Sequence, residues 1–324
     1  MTWLLTGGAG YIGAHVARAL GAADMDVVVL DDLSTGIRSF VPEEAAFVEA
    51  SILDEGAVLA ALREHDIQGV IHLAALKYAG ISVEEPLSYY HVNIEGMRSV
   101  LSAMEQASVD RLVFSSSASV YGTPDVDLVT ETTPTHPESP YGESKLAGEW
   151  LVADVARASG LRHTSLRYFN VVGSGGHGIY DVNPYGLLPA VMKALTEGRA
   201  PIVNGTDYAT SDGTAERDYI HVVDLAEAHV VAAQRLAGGT SLGPVYNLGR
   251  GEGATVLAML ELVREVSGID FEPELGPRRP GDPARIVAAA ELAAKELGWT
   301  ARLGFREMVQ SAWDTWQQVA ASQP

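Results

Sequence analysis

Thr2-Trp3-Leu4-Leu5-Thr6-Gly7-Gly8-Ala9-Gly10-Tyr11-Ile12-Gly13 decides the fold. An apolar run, Trp3–Thr6, breaks into Gly-x-x-Gly-x-x-Gly, and Ile12–Leu20 follows with helical spacing. Glycine lets such a strand–helix turn tighten and lets the backbone approach a diphosphate. The following helix N-terminus presents free N–H groups and the positive end of its dipole. Val27–Leu30 reads as the next strand, and Asp31 stands at its end, where a carboxylate accepts hydrogen bonds from an adenosine ribose and repels a 2′-phosphate. Gly7, Gly10 and Gly13 with Asp31 therefore point to a bound dinucleotide, NAD rather than NADP.

Outward from this unit, Val58–Glu64 and Asn93–Ala107 carry helical spacing, and Gly69–Leu73 and Arg111–Ser115 are short apolar runs. Alternation of this kind predicts an α/β protein with a doubly wound parallel sheet, Rossmann-like and covered on both faces. It holds to about Arg167–Phe169. Beyond, glycine and proline become frequent, and Gly173–Pro189 and Gly276–Pro283 read as loops. We expect a dinucleotide-binding domain over 1–172 and a smaller α/β substrate-binding domain over 173–324, with segments around 220–250 packing back on the first.

Composition narrows the functions. The 324 residues hold 42 acids and 22 bases, a formal net charge of −20, which disfavours a nucleic-acid partner. With 47% hydrophobic residues the chain can bury a large core, and with no cysteine it has no disulfide, thiolate nucleophile or Cys-based metal site. The opening residues do not resemble a signal peptide, and no apolar run approaches the ~18 residues of a membrane span. A cytoplasmic protein with no membrane partner is expected. His72, His91, His221 and His229 lack metal-ligand spacing, so they read as structural and no metal is expected. Trp299, Trp313 and Trp316 read as packing anchors.

The catalytic candidates are Tyr141 and Lys145. At i and i+4 they share a helix face. A free phenol titrates near 10, too high for a base at neutral pH, and a nearby ammonium favours the phenolate. Upstream, Leu112–Ser117 is a strand ending in hydroxyls, where ligands of a doubly wound sheet sit.

The glycine loop, Ser115-Ser116-Ser117-Ala118-Ser119-Val120-Tyr121-Gly122 and the Tyr-x-x-x-Lys pair together resemble the extended short-chain dehydrogenase/reductase superfamily. Further blocks narrow the resemblance to its UDP-glucose 4-epimerase family. These are Ala75-Leu76-Lys77, Leu166-Arg167-Tyr168-Phe169-Asn170, Asp212-Gly213-Thr214, Arg217-Asp218-Tyr219-Ile220-His221-Val222, Tyr246-Asn247-Leu248-Gly249 and Arg278-Arg279-Pro280-Gly281-Asp282. The likeness runs from about Thr2 to Trp316. It implies an NAD-dependent enzyme that inverts C4 of UDP-glucose or UDP-galactose through a 4-keto sugar. Tyr141 matches the base, Lys145 its partner and Ser117 the catalytic hydroxyl. Tyr11, Ile12, Asp31, Ile52, Lys77, Asn93 and Tyr168 match cofactor contacts. Asn170, Arg217, Tyr219, Arg279 and Asp282 match positions that hold the nucleotide-sugar. Asn93–Ala107 and Lys145–Ala158 resemble the helix pair through which family members form homodimers.

Dehydrating and decarboxylating relatives carry carboxylates just after the catalytic hydroxyl. Ala118 and Ser119 offer none, so re-reduction is the expected fate of the keto sugar. Non-catalytic dinucleotide-binding regulators on this fold usually lack one of the catalytic trio, and here all three are present. Departures from the family are Ser51 where many members have Asp, Gly186 where many have Asn before the Leu-x-Pro segment, and Ile286 at a position affecting N-acetylated sugars. An alternative substrate is therefore UDP-N-acetylglucosamine, UDP-glucuronate or a dTDP-hexose.

Overall fold

The computed structural model describes residues 1–279 and 282–322. Thirteen strands are assigned among them. β1 (Thr2–Thr6), β2 (Asp26–Asp31), β3 (Ala46–Glu49), β4 (Gly69–His72), β5 (Arg111–Ser115) and β6 (Arg162–Tyr168) come first. Then follow β7 (Asn170–Val172), β8 (Ile202–Asn204), β9 (Glu216–His221), β10 (Val245–Leu248), β11 (Gly253–Thr255), β12 (Glu274–Gly276) and β13 (Arg285–Ile286). The longer helices are α1 (Tyr11–Ala22), α2 (Glu55–Glu64), α3 (Ala79–Glu84), α4 (Pro86–Tyr90), α5 (Gly96–Ala107), α6 (Pro140–Ser159), α7 (Leu187–Thr196), α8 (Val222–Ala237), α9 (Val256–Ser267), α10 (Glu291–Glu296) and α11 (Phe305–Ser322).

The first six strands and β10 form one parallel sheet in the order β10-β6-β5-β4-β1-β2-β3. Alternating side chains of each strand serve opposite faces. Trp3, Leu5, Val29, Ile71, Val113 and Leu166 face α1 and α8, while Leu4, Val28, Leu30, Val70, Leu112 and Phe114 face α2, α5 and α6. Both faces are thus buried, which is why the strands read as unbroken apolar runs. From β1 the chain moves outward to β2, and it returns to β4 on the other side. The carboxyl ends of β1 and β4 therefore flank the topological switch point, where ligands of such sheets sit.

The remaining strands build two small sheets. β11, β9 and β13 lie side by side with β7 also on β9, and β12 pairs with β8. A third core of Leu188, Val191, Met192, Tyr219, Met259, Leu260, Met308 and Trp313 seals α7, α9 and α11 onto them. Trp299 is buried and donates Nε1–H to the Asp224 carbonyl at 3.0 Å, and Trp316 lies edge-on to Tyr180. No helix among the described residues is long and apolar enough to cross a membrane.

The strands and helices differ from expectation in a few places. β3 had no sequence signal, because this short edge strand leaves no residue fully buried. Asn93–Ala107 is not one α-helix. It starts within a turn of π-helix, His91–Glu95, that sets Asn93 inward before α5 begins. Leu187–Pro189, expected in a loop, forms the first turn of α7. Pro280 and Gly281 of the Arg-Arg-x-Gly-Asp block, and Gln323 and Pro324, lie outside the described residues.

Candidate active site

The glycine loop is shaped for a closely approaching ligand. Gly7 has φ +73°, where a side chain is strained, and its N–H donates to the Leu30 carbonyl at 2.8 Å. A Cβ on Gly13 would stand 2.2 Å from the Gly7 carbonyl oxygen. Gly10 then caps α1 with no side chain, leaving the first-turn N–H groups facing the cleft.

Asp31 closes this cradle. Its Oδ2 accepts from the Ala9 N–H at 3.0 Å and its Oδ1 from the Leu33 N–H at 2.9 Å. Burial raises its pKa against those two donors. One cleft runs from here past Gly7, Gly10, Tyr11, Ile12, Gly13, Ile52 and Lys77 to Tyr141, Lys145 and Tyr168. A tight glycine turn whose Gly7 and Gly13 leave no room for a Cβ against the chain's own backbone, a helix N-terminus and a carboxylate on one cleft fit a dinucleotide. Asn93 stands behind the cleft wall. It clamps the Leu76 backbone at both ends, accepting from Leu76 N–H at 2.8 Å and donating to Leu76 O at 3.0 Å, and it also donates to Ser144 Oγ at 2.8 Å.

At the far end of the cleft the catalytic candidates converge. Ser139 caps α6, accepting from Gly142 N–H at 3.2 Å, and Pro140 fits the first helical position, so Tyr141 sits in the opening turn. Tyr141 is 8% exposed and Lys145 3%. Burial raises the Tyr141 pKa, while a hydrogen bond with the Ser117 hydroxyl lowers it. The Lys145 Nζ donates to the Ser115 carbonyl at 2.9 Å and lies 6.0 Å from the Tyr141 ring centre. Burial pulls Lys145 down to about 8, and the charge of Glu149 opposes this. Tyr168 is raised by burial and by Tyr141 beside it.

The three serines part company. Ser115 Oγ meets His229 Nε2 at 2.8 Å, Ser116 Oγ donates to Glu149, and Ser117 Oγ donates to Ser119 Oγ at 3.1 Å and is, of the three, the hydroxyl that bears on Tyr141. Ser117 also caps the short turn Ala118–Tyr121, accepting from Ser119 N–H at 3.1 Å.

Of the substrate candidates, Asn170, Arg217 and Tyr219 lie on β7 and β9, and Arg279 and Asp282 on the loop between β12 and β13. Asn170 on β7 is in register with Tyr219 on β9, and Tyr219 is buried edge-on against Phe305. Arg217 pairs with Asp282 and donates to the Glu216 carbonyl at 2.8 Å. Arg279 faces Asn204, whose amide oxygen, in the orientation that satisfies both its ends, accepts from Nη2 and Nε at 3.2 and 3.3 Å. Ile286 is buried in an apolar cluster with Ala118, Tyr121, Leu146 and Phe169. Ser51 Oγ accepts from its own turn, at Leu53 N–H, 3.3 Å.

Of the scattered histidines, His72 meets Thr6 Oγ1 at 2.8 Å, His229 holds Ser115, and His221 caps α8 and meets Ser311 Oγ at 3.0 Å. Among the described residues no group of three or more His, Asp or Glu side chains is placed to hold a metal ion.

Three residues near the site escaped the sequence reading. His15 Nε2 accepts from Gly175 N–H at 2.8 Å. Asp181 is held by Asn183 N–H at 3.0 Å, and burial raises its pKa against the charge of Lys77. Glu149 binds Ser116 and Arg167. Only Glu149 had a usable signal, as the next residue in the Tyr141–Lys145 row.

A glycine turn at the switch point with a buried Tyr–Lys pair on the same cleft defines a dinucleotide-dependent enzyme of the extended short-chain dehydrogenase/reductase type. The sequence matches the NAD dependent epimerase/dehydratase family over residues 3–249. It is 42% identical to a UDP-glucose 4-epimerase of Corynebacterium glutamicum, covering 97% of this chain and 95% of that one. It is 41% identical to a UDP-glucose 4-epimerase of Bacillus subtilis, covering 98% and 97%. The crystal structure of the Stenotrophomonas maltophila UDP-glucose-4-epimerase, with bound NAD and formylated UDP-arabinopyranose, superposes with a TM-score of 0.95 over 100% of both chains at 38% identity. The chain belongs to the NAD dependent epimerase/dehydratase family and, within it, to the UDP-glucose 4-epimerases.

Proposed function

We propose that this protein is an NAD-dependent 4-epimerase that interconverts UDP-glucose and UDP-galactose through a transient 4-keto sugar. The observation that carries the reading is the buried Tyr141–Lys145 pair on a glycine-lined cleft, with the Ser117 hydroxyl bearing on Tyr141 and no carboxylate at 118 or 119. Gly7, Gly10, Tyr11, Ile12, Gly13, Asp31, Ile52, Lys77 and Tyr168 hold the cofactor, with Asn93 shaping the wall. When bound, the cofactor supplies the hydride sink and source for sugar C4.

Tyr141 takes the proton of the 4-hydroxyl as a phenolate, a role that general-base geometry and the Lys145 ammonium make feasible near neutral pH. Ser117 relays that proton, because the 4-hydroxyl points differently in the two epimers. Arg217 and Arg279 hold the diphosphate with charge-assisted hydrogen bonds, while Asn170, Tyr219 and Asp282 hold the rest of the nucleotide-sugar.

Residues 1–172 serve as the cofactor domain and 173–324 mainly as the substrate domain, with β10 contributed back to the large sheet. Homodimerisation through α5 and α6 is supported by an unusually exposed Trp150 on α6 (61%). The lack of cysteine supports a cytoplasmic location.

A panel of UDP- and dTDP-hexoses, UDP-N-acetylglucosamine and UDP-glucuronate, followed by proton NMR of the sugar, tests the reading. C4 inversion of UDP-galactose without added NAD is expected. Inversion of another member alone, or of none, would contradict it.

A further inference from the structure

We propose that Glu149 is a positioning residue for the reaction: it continues the Tyr141–Lys145 row of α6 by one more turn and fastens that row to both sides of Ser117. The inference rests on the 4-epimerase reading above. Positions 141, 145 and 149 are spaced i, i+4, i+8 and share one helix face. One carboxylate there reaches two other elements. Oε1 accepts from Ser116 Oγ, the residue immediately before Ser117. Both oxygens accept from Arg167 of β6, with Nε–Oε1 at 2.9 Å and Nη2–Oε2 at 2.6 Å.

Arg167 passes the restraint onward. Its Nη1 donates to the Tyr121 hydroxyl at 2.8 Å, and Tyr121 ends the short turn that Ser117 begins. The Tyr121 hydroxyl in turn donates to Asn247 Oδ1 on β10 at 2.7 Å. Ser117 thus lies between two anchored points, Ser116 and Tyr121, both tied to the same buried ion pair. The Glu149 and Arg167 side chains are only 10% and 7% exposed, so water does not compete for these bonds.

The same carboxylate bears on the ammonium. Around Lys145 stand His72 of β4, pushed down to about 3 and therefore neutral, the Phe114 ring of β5 with its centre 5.1 Å from Nζ, and Tyr141 on its own helix. Burial lowers Lys145 to about 8, and Glu149 is the negative group that opposes the fall. Burial lowers Arg167, but the hydrogen bonds and charge of Glu149, with those of Tyr121, outweigh it and raise the guanidinium above its ordinary value. Removing the Glu149 charge lets Lys145 lose its proton at lower pH, and Tyr141 then loses the cation that favours its phenolate.

The experiment uses the full-length holoenzyme as wild type, Glu149→Gln and Ser116→Ala. It measures kcat and KM for UDP-galactose from pH 6 to 9.5, with circular dichroism and bound NAD as controls. For Glu149→Gln the alkaline limb of kcat moves about one unit toward acid and kcat at high pH falls roughly tenfold, with KM changed less than about twofold. A limb and kcat equal to wild type, with only thermal stability reduced, would overturn the proposal. If Glu149→Gln does not fold, Ser116→Ala decides: lowered kcat at unchanged KM supports the tether, and wild-type kcat overturns it. A wild type inactive on every nucleotide-sugar would instead sink the epimerase reading itself.

Discussion

The Tyr11 hydroxyl donates a 2.6 Å hydrogen bond to the Gly173 carbonyl, joining the first turn of α1 to the loop that follows β7. Four residues on, His15 receives the Gly175 N–H, so two side chains of α1 hold consecutive parts of one loop. One face of α1 thereby fixes the path of the chain just after β7. Tyr11→Phe leaves the Gly173 carbonyl short of a donor in a buried place, at a cost of about 1–3 kcal/mol. We expect a lower thermal midpoint and a KM raised several-fold, both read on the purified enzyme. An unchanged KM would show that the loop holds without this bond.

Tyr141→Phe removes only the phenolic oxygen. The ring remains to fill its place, so bound NAD, measured after acid denaturation, stays at the wild-type level. Turnover drops about 10²- to 10⁴-fold, the usual worth of a positioned acid–base group. Activity within a factor of two of wild type would remove Tyr141 from the mechanism.

Asp31 bonds Ala9 and Leu33 and presents its charge at the end of β2. Asp31→Ala takes away both the loop bond and the repulsion toward a 2′-phosphate. The expected result is weaker NAD retention with a narrowed NAD-over-NADP preference, followed by calorimetric titration of the cofactor-stripped protein. Preference equal to wild type would place the selectivity elsewhere.

Acid should destabilise the fold. Burial lowers His15, His221 and His229 to about 4 and His72 to about 3, all below the ordinary 6.5. Unfolded histidines bind protons that folded ones refuse, so the stability present above pH 6.5 is lost as pH falls toward 4, at about 1.4 kcal/mol per unit for each group. Asp218, raised to about 6 by burial despite three backbone donors, works the other way, favouring the fold as pH falls between about 6 and 4. Asp31 and Asp181, also raised by burial, side with Asp218, and His163 sides with the other histidines; the histidines begin to lose stability at the higher pH, so the urea midpoint at pH 5 should lie below that at pH 7. A flat profile would mean that these histidines are solvated.

What the sequence disclosed follows from where the physics is local. β1, β2, β4 and β5 are buried on both faces and stand out as apolar runs, whereas β3 at the edge does not. Tyr141 and Lys145 are legible because i, i+4 on a helix is a spatial statement. Glu149 occupies the next place in that row, but a charge on a helix reads as solvated until Arg167, 18 residues away, is known to meet it. Arg217 and Asp282 were each readable as ligand contacts from resemblance, yet their pairing joins residues 65 apart and only the chain's path between β9 and β13 reveals it. The division of labour among Ser115, Ser116 and Ser117 likewise depends on His229 and Glu149, which approach from other elements.

Sugar C4 is oxidised and then re-reduced in the reaction that we propose Ser117, Tyr141 and Lys145 serve. UDP-glucose carrying deuterium at C4, converted in ordinary water and followed by NMR, addresses it most directly. The expected product is UDP-galactose with the deuterium still on C4 and none released to solvent. Product that has exchanged its deuterium for solvent hydrogen would contradict it.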